Sequence, residues 1–379
     1  MILLHTSDWH LGRTESERSF AEDQKFFIDR ICDLIEEKNV DAVLLAGDVY
    51  DRSVASAEAI RLYDYAVRRV CLELERPLLM IAGNHDSPDR LASCSDLLSK
   101  AGLYVVGSLP REPYFKSFGD AQIFFLPWIT EEKVRSVYPE KKEEIETLDD
   151  AYRIALDAMR ARFEPGKRHI VISHAFITDS ETSTSDRSAE IGFATQVSAT
   201  VFEGFDYVAL GHIHKPQDVN GFIRYSGTPM PYSFGKEESQ EKSVTLIDTS
   251  DLTRTVVPLP LLHERTTLKC TLDELLRGDF PERVRDGYVK LEATDSFVGL
   301  EAQSSLRAIY PCCLDISGKN YDGANGSVML SAEEFERIES DPAEIFRHFC
   351  MEEIGEAPDE HLTELFLQAV KTAEEEDAQ

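Results

Sequence analysis

Five short apolar runs in this chain each lead into a residue able to bind a metal ion. Ile2-Leu3-Leu4 leads to Asp8-Trp9-His10, Ala42-Val43-Leu44-Leu45 to Gly47-Asp48-Val49-Tyr50-Asp51, and Leu78-Leu79-Met80-Ile81 to Gly83-Asn84-His85-Asp86. Ile170-Val171-Ile172 leads to Ser173-His174, and Tyr207-Val208-Ala209-Leu210 to Gly211-His212-Ile213-His214. Runs of this length and composition read as strands buried on both faces, as in sheets covered by helices. The metal-type residues then fall at the carboxyl ends of strands, where α/β sheets bind ligands. A glycine just before them permits the sharp backbone exit a crowded site requires.

Between the first three runs lie helical patterns, 20–38 (with Phe27, Ile31, Leu34 and Ile35 on one stripe) and 55–74. The order is βαβαβ, and right-handed crossovers of this size place the three strands side by side and parallel. A third helix is expected at 89–100, strands at 104–106 and 123–126, and helices at 130–137 and 148–163. The Ser-, Thr- and Asp-rich stretch 178–188 reads as a surface loop. Strands at 222–225, 243–247 and 254–257, without long helices between them, imply a mixed or antiparallel second sheet.

Pro258 and Pro260 end that run, and no metal-type word follows His214. We therefore place a boundary near residue 262: a first domain at 1–262, a small α/β cap at 263–330, and C-terminal helices at 331–379. The cap combines a helical piece at 272–276 with strands at 288–291 and 314–316, and 318–326 reads as a linker. Helical patterns follow at 332–338, 345–351 and 360–371, the last with Leu362, Leu365, Phe366 and Ala369 on one face.

Composition narrows the class. At 42% apolar and 29% charged residues the chain is ordinary for a folded protein and wrong for a disordered one. No apolar run approaches the roughly 20 residues that span a bilayer, and Met1 leads straight into a strand, so neither a membrane segment nor a signal peptide is expected. The seven cysteines (32, 71, 94, 270, 312, 313 and 350) contain no CxxC pair, which fits a reducing cytoplasm rather than a disulfide framework or zinc ribbon. The formal charge of −30 argues against a tight solitary nucleic-acid binder. Residues 331–379 hold 16 acidic and 3 basic residues, a net of −13 that leaves −17 for the rest. Carboxylates that ligate cations cease to repel a phosphate, because the ion is then the largest local charge.

Residues two apart on an extended backbone share a side, so Asp8 with His10, and His212 with His214, have chelating spacing. Asp48, with two oxygens on a central strand, is the natural bridge between ions about 3.5–4 Å apart. Asn84 adds a neutral carbonyl oxygen. Imidazole, carboxylate and amide without thiolate favour manganese, iron or magnesium over structural zinc, manganese first. Histidines 5, 169, 263, 348 and 361 are read as structural.

In this order, Asp-x-His, Gly-Asp-x-x-Asp, Gly-Asn-His-Asp, a lone strand-end His and Gly-His-x-His, the set resembles the calcineurin-like metallophosphoesterase superfamily. The stretches 5–12, 205–217 and Tyr225-Ser226-Gly227-Thr228-Pro229 resemble its SbcD-type nucleases more closely. The resemblance implies a four-layer α/β sandwich of two mixed sheets flanked by helices, with a cap domain and C-terminal helices. It implies two divalent ions, one held by Asp8, His10, Asp48 and His214, the other by Asp48, Asn84, His174 and His212. A two-metal-activated hydroxide would hydrolyse DNA phosphodiesters as an endonuclease and 3′–5′ exonuclease, in end and hairpin processing during repair, recombination and replication. His85, oriented by Asp86, would protonate the leaving oxygen or stabilise the transition state, and Asp51 would orient a ligating imidazole. The implied partners are DNA and an SbcC-like ABC-type ATPase that receives the C-terminal helices, with a homodimer of nucleases inside a heterotetramer at the nucleoid. Two alternatives stay open: a small-molecule phosphodiesterase or phosphatase of the same fold, and an inactive DNA-end scaffold.

Overall fold

The computed structural model describes residues 1–178, 180–182 and 196–319, together with 346, 347, 350, 358, 362, 363 and 365–367. Two compact units are present: Met1–Leu268 with Gly278–Leu291 and Arg307–Asp315, and a smaller one of Lys269–Arg277, Glu292–Leu306 and residues from Ile316 onward.

The larger unit is built on two six-stranded sheets. In the first, Ile2–Thr6, Ala42–Leu45, Leu78–Ile81 and Leu103–Val106 lie side by side and parallel, as the βαβαβ reading requires. Ser243–Asp248 then pairs antiparallel with Ile2–Thr6, and Thr253–Pro258 forms the edge. The sequence pattern places these two strands in the second sheet instead. They return to the first because a chain leaving the second sheet can close the open edge beside Ile2–Thr6 with a simple hairpin. The second sheet runs Gln217–Asp218, Ile223–Tyr225, Tyr207–Gly211, Arg168–His174, Ala121–Leu126, Phe115–Phe118 and is mixed. Its edge strand Phe115–Phe118 escapes the sequence pattern, since only partly buried positions leave no alternation to find.

Alternate residues of the central strands face the other sheet or the helices. Leu3, Leu44, Leu79, Ile81, Ile123, Phe125, Ile170, Ile172 and Ala209 fill the space between the sheets and are fully buried. Leu4, Val43 and Leu45 pack outward with Phe27, Ile28, Ile31 and Ile35 of the helix Ala21–Glu37. Val171, Val208 and Leu210 pack outward with Ala151, Tyr152, Ala155 and Met159 of the helix Leu148–Arg160, which a Thr147–Asp150 capping box begins. Each buried leucine or isoleucine contributes about 1.5–3 kcal/mol. The layers are thus helix, sheet, sheet, helix.

Elsewhere the local pattern bends. The helix expected at 55–74 is α over Ala57–Val67 and continues as a π-helical segment, Arg68–Glu73. The helix expected at 89–100 is broken into Pro88–Leu91 and Ser95–Leu98, because Cys94 adopts a left-handed backbone (φ +59°). In the smaller unit, the helix Leu272–Arg277 matches the expected piece, and most of Leu300–Ile309 is an additional helix. Most of the loop expected at 178–188, most of the 318–326 linker, the 332–338 segment and most of the two last helices lie outside the described residues.

Of the histidines read as structural, His5, His169 and His263 have partners of that kind, and 348 and 361 lie outside the described residues. His5 lies between the sheets, bonded to the Tyr207 hydroxyl (2.9 Å) and the Leu210 carbonyl (3.1 Å), and burial drives its pKa down to about 3, so it is neutral. The His169 ring stacks on Phe163. His263 Nδ1 lies 3.0 Å from Asp23 Oδ2, which also accepts the Tyr288 hydroxyl (2.6 Å). The Asp23 bond raises the His263 pKa above its ordinary value near 6.5, against the opposing effect of burial. A raised histidine pKa stabilises the fold fully below the unfolded value, and that contribution is lost as pH rises through the folded value. His263→Gln should therefore cost on the order of 1–2 kcal/mol near pH 5.5 and progressively less at alkaline pH. Urea unfolding of both proteins across pH 5.5–9 measures this; a difference that grows with pH would refute it.

Candidate metal centre

The strands Ile2–Thr6, Ala42–Leu45 and Leu78–Ile81 of one sheet, and Arg168–His174 and Tyr207–Gly211 of the other, deliver their following residues to one place. Asp8, His10, Asp48, His174, His212 and His214 are all buried there, and Asn84 and His85 are half-buried.

The backbone that does this is not the extended one expected for Asp8 and His10. The strand stops at Thr6, and Asp8 (φ +54°), His10 (φ +44°), Asp48 (φ +49°) and His212 (φ +102°) all have positive φ. Non-glycine residues in this region are strained, and such strain collects at functional sites where surrounding structure enforces it. Here Asp8 N–H donates to the Gly47 carbonyl and His10 N–H to the Asp48 carbonyl (both 3.0 Å), locking the two loops together.

The glycines act by close approach. A Cβ on Gly47 would overlap the His174 ring, one on Gly83 the Asp48 carboxylate, and one on Gly211 the Ala46 carbonyl oxygen. That carbonyl accepts His174 Nδ1–H at 2.8 Å. Gly211→Ala should therefore destabilise the metal-free protein by about 1–3 kcal/mol through overpacking, and displace His174 as well. Chemical denaturation without metal checks the first effect, and weaker ion binding by the same protein checks the second.

Around Asp48 the donors converge. Its Oδ2 lies 3.5 Å from His174 Nε2, 3.8 Å from His10 Nε2 and 4.0 Å from His85 Nε2, and its Oδ1 accepts the His85 N–H (2.9 Å). Asn84 Oδ1 sits 2.9 Å from His174 Nε2 and 3.0 Å from His212 Nδ1. His10 Nε2 and His214 Nε2 face each other at 3.1 Å, a separation that needs a proton or a cation between two lone pairs. Asp8, with both oxygens bonded to His212 N–H, shares one cluster with His10 and His214 and another with Asp48 and His174. His10 Nδ1 and His212 Nε2 are buried without hydrogen-bond partners. Nitrogen and oxygen donors at these spacings fit the binding of divalent cations.

Electrostatics point the same way. Burial opposes ionisation of Asp48, yet His174, His10 and His85 outweigh it and hold the carboxylate well below its usual range. Burial would lower the His174 pKa, but Asp48 and Asp8 raise it to about 9. Burial lifts Asp8 to about 6, and burial takes His212 down to about 3. Such opposed shifts mark a concentrated, mutually compensated charge cluster.

Asp86 occupies another position than expected relative to His85. The Asp86 carboxylate is engaged by the amides of Val49 (3.1 Å), Tyr50 (2.9 Å) and Gly83 (2.9 Å), so it pins the two strand-end loops and does not orient His85. His85 Nδ1 instead donates to the Asp51 backbone carbonyl (2.9 Å), turning Nε2 toward Asp48. The Asp51 carboxylate lies 3.8 Å from His10 Nδ1 and 3.4 Å from Arg13 Nη1.

Sequence reasoning misses Trp128. It follows the strand Ala121–Leu126, and its half-buried ring stacks on His212 (centroids 5.2 Å, 28°) and meets His174 edge-on. The available signal is its position after a strand end of the same sheet; without a metal-binding group it does not register.

Residues 1–216 match the family model described as calcineurin-like phosphoesterase. Among curated proteins, the chain is 32% identical over 326 residues to the SbcD component of nuclease SbcCD from Staphylococcus epidermidis, covering 85% of this chain and 86% of that one. It is 28% identical over 325 residues to the protein of the same name from Staphylococcus saprophyticus, with the same coverage.

Proposed function

The chain belongs to the calcineurin-like phosphoesterase family, and from that membership we propose that it is the metal-dependent nuclease component of an SbcCD-type complex, hydrolysing DNA phosphodiesters. The observation that carries the reading is the convergence of Asp8, His10, Asp48, Asn84, His174, His212 and His214 from five strand ends, with Asp48 shared.

One ion would be held by Asp8, His10, Asp48 and His214, the other by Asp48, Asn84, His174 and His212. When bound, two divalent ions supply a water of lowered pKa and offset the charge that develops on the phosphoryl oxygens. The protein's own groups fix the geometry. His174 Nδ1–H donates to Ala46, so that Nε2, on losing its proton, would offer its lone pair to an ion beside Asp48. His85 is likewise held through Nδ1, so Nε2 can carry a proton to the leaving oxygen as the P–O bond breaks and the attacking water forms the new one. Manganese is the preferred ion, since the donors are imidazole, carboxylate and amide.

The C-terminal segment suits docking on an ABC-type ATPase: Leu362 and Leu365 are 44% and 49% exposed, on a strongly acidic segment. The partner would supply basic surface that this chain, at −30, lacks. A dimer of nucleases within a heterotetramer, a cap at 263–330 that positions DNA, and action at the nucleoid complete the reading. No helix among the described residues is long and apolar enough to cross a membrane.

The test is hydrolysis with Mn²⁺ of single-stranded and hairpin DNA, bis-p-nitrophenyl phosphate and a phosphopeptide. Cleavage of DNA and of the diester, abolished by chelation and restored by Mn²⁺, is the expected result. Hydrolysis of the phosphopeptide alone would overturn the nuclease reading in favour of a phosphatase.

A further inference from the structure

Behind the metal centre lies an ion pair that belongs to no ligand set. The side chains of Lys242 and Glu237 are fully buried, with Nζ 3.0 Å from Oε2. A buried pair gains little over apolar isosteres, because desolvation offsets the attraction, so its value lies in what it holds in place. Lys242 Nζ also donates to the His214 carbonyl (3.2 Å) and to Thr228 Oγ1 (2.9 Å). Glu237 Oε2 accepts the Tyr232 N–H (2.9 Å), and Oε1 lies 3.8 Å from His214 Nδ1.

From Tyr232 the path continues. Its hydroxyl donates to the Trp9 carbonyl (2.5 Å) and accepts from Gln24 Nε2 (3.2 Å), which also donates to the His10 carbonyl (2.8 Å). The Tyr232 ring meets the His10 ring edge-on at 5.5 Å. Two sets of hydrogen bonds, one at the Tyr232 backbone N–H and one at its hydroxyl, joined through the Tyr232 side chain itself, therefore link the backbone of His214 to that of His10, the two residues whose Nε2 atoms face each other beside Asp8. His174 is held from elsewhere, by the Ala46 carbonyl, while the His212 N–H donates to the Asp8 carboxylate and not to the Lys242–Glu237 pair.

We infer that Lys242 and Glu237 are positioning residues that, through Tyr232 and Gln24, set the affinity of the ion at Asp8, His10 and His214 and leave the ion at Asn84, His174 and His212 unaffected. The inference rests on the two-ion reading above. Outer partners of this kind are worth about 10- to 100-fold in metal affinity.

The experiment is Mn²⁺ titration of the full chain by calorimetry, with bound ions counted by electron paramagnetic resonance, and thermal unfolding of the metal-free proteins. Lys242→Met/Glu237→Gln replaces the pair by near-isosteres, and Tyr232→Phe cuts the path at one hydroxyl. The double variant should bind one ion about 10- to 100-fold more weakly and the other as the natural protein does, with an unchanged metal-free melting temperature. Tyr232→Phe should weaken the same ion by a smaller factor, and decides the matter if the double variant does not fold. Variants that bind both ions normally, or lose both alike, would overturn the positioning role alone. A natural protein that binds fewer than two ions would overturn the two-ion reading, and this inference with it.

Discussion

Asp48→Ala is expected to abolish binding of both ions and to reduce DNA cleavage by on the order of 10³-fold or more, since several kcal/mol of transition-state stabilisation leave with the ions. Its carboxylate lies within 3.5–4.0 Å of Nε2 atoms of His174, His10 and His85, which come from three different strand ends. Without it, each half of the donor set keeps imidazoles but loses the charge they share. A first ion would then repel a second with no shared carboxylate between them to compensate. Asp48→Asn is the informative companion. It can still accept the His85 N–H, so it should hold the loop while binding ions more weakly than the natural protein and more tightly than Asp48→Ala. Counting ions by mass spectrometry under native conditions, alongside cleavage assays, checks both. An Asp48→Ala protein that still carries two ions would remove the shared carboxylate from the proposed centre.

His85→Ala should do the opposite: keep both ions and lose about 10²- to 10⁴-fold in DNA cleavage. The ring is anchored through Nδ1 to the Asp51 carbonyl, outside the ligand set, and its Nε2 faces the centre. If that nitrogen delivers a proton to the leaving oxygen, the defect depends on the leaving group. A DNA alkoxide needs the proton, whereas the nitrophenolate of bis-p-nitrophenyl phosphate is stabilised without it. The loss should thus be large on DNA and small on the nitrophenyl diester, at unchanged ion content. Equal losses on both substrates would assign His85 to transition-state charge stabilisation rather than proton transfer.

Much of this architecture is legible because it rests on short-range rules. Leu3, Val43, Leu79, Val171 and Val208 are buried on sheet faces covered on both sides, which forces apolar runs that stand out from the rest of the chain. The glycines at 47, 83 and 211 announce the crowding that follows, and a Cβ at any of them meets another strand-end loop. What escapes has no periodic signature. The strand Phe115–Phe118 lies at an edge with only partly buried positions, and Cys94 breaks a helical pattern through a backbone angle that its side chain does not advertise. Sequence proximity pairs Asp86 with His85, yet the Asp86 oxygens are taken by amides of Val49, Tyr50 and Gly83. Adjacent residues leaving a tight loop diverge, so neighbours along the chain need not be partners in space.

The linear order of residues alone determined which side chains can bind cations, that they sit at strand ends, and that the first three strands lie together in one sheet. Only the tertiary structure decided how the two sheets meet face to face, so that His174 and His212 reach Asp48 and Asn84 from across the sandwich. It also decided which partners hold each ring, from the Ala46 carbonyl behind His174 to the buried Lys242 and Glu237 behind His214. The reason is range: side-chain type and periodicity are written locally, whereas a distance of 3 Å between residues some 90 to 200 positions apart exists only once the packing of both sheets has fixed it.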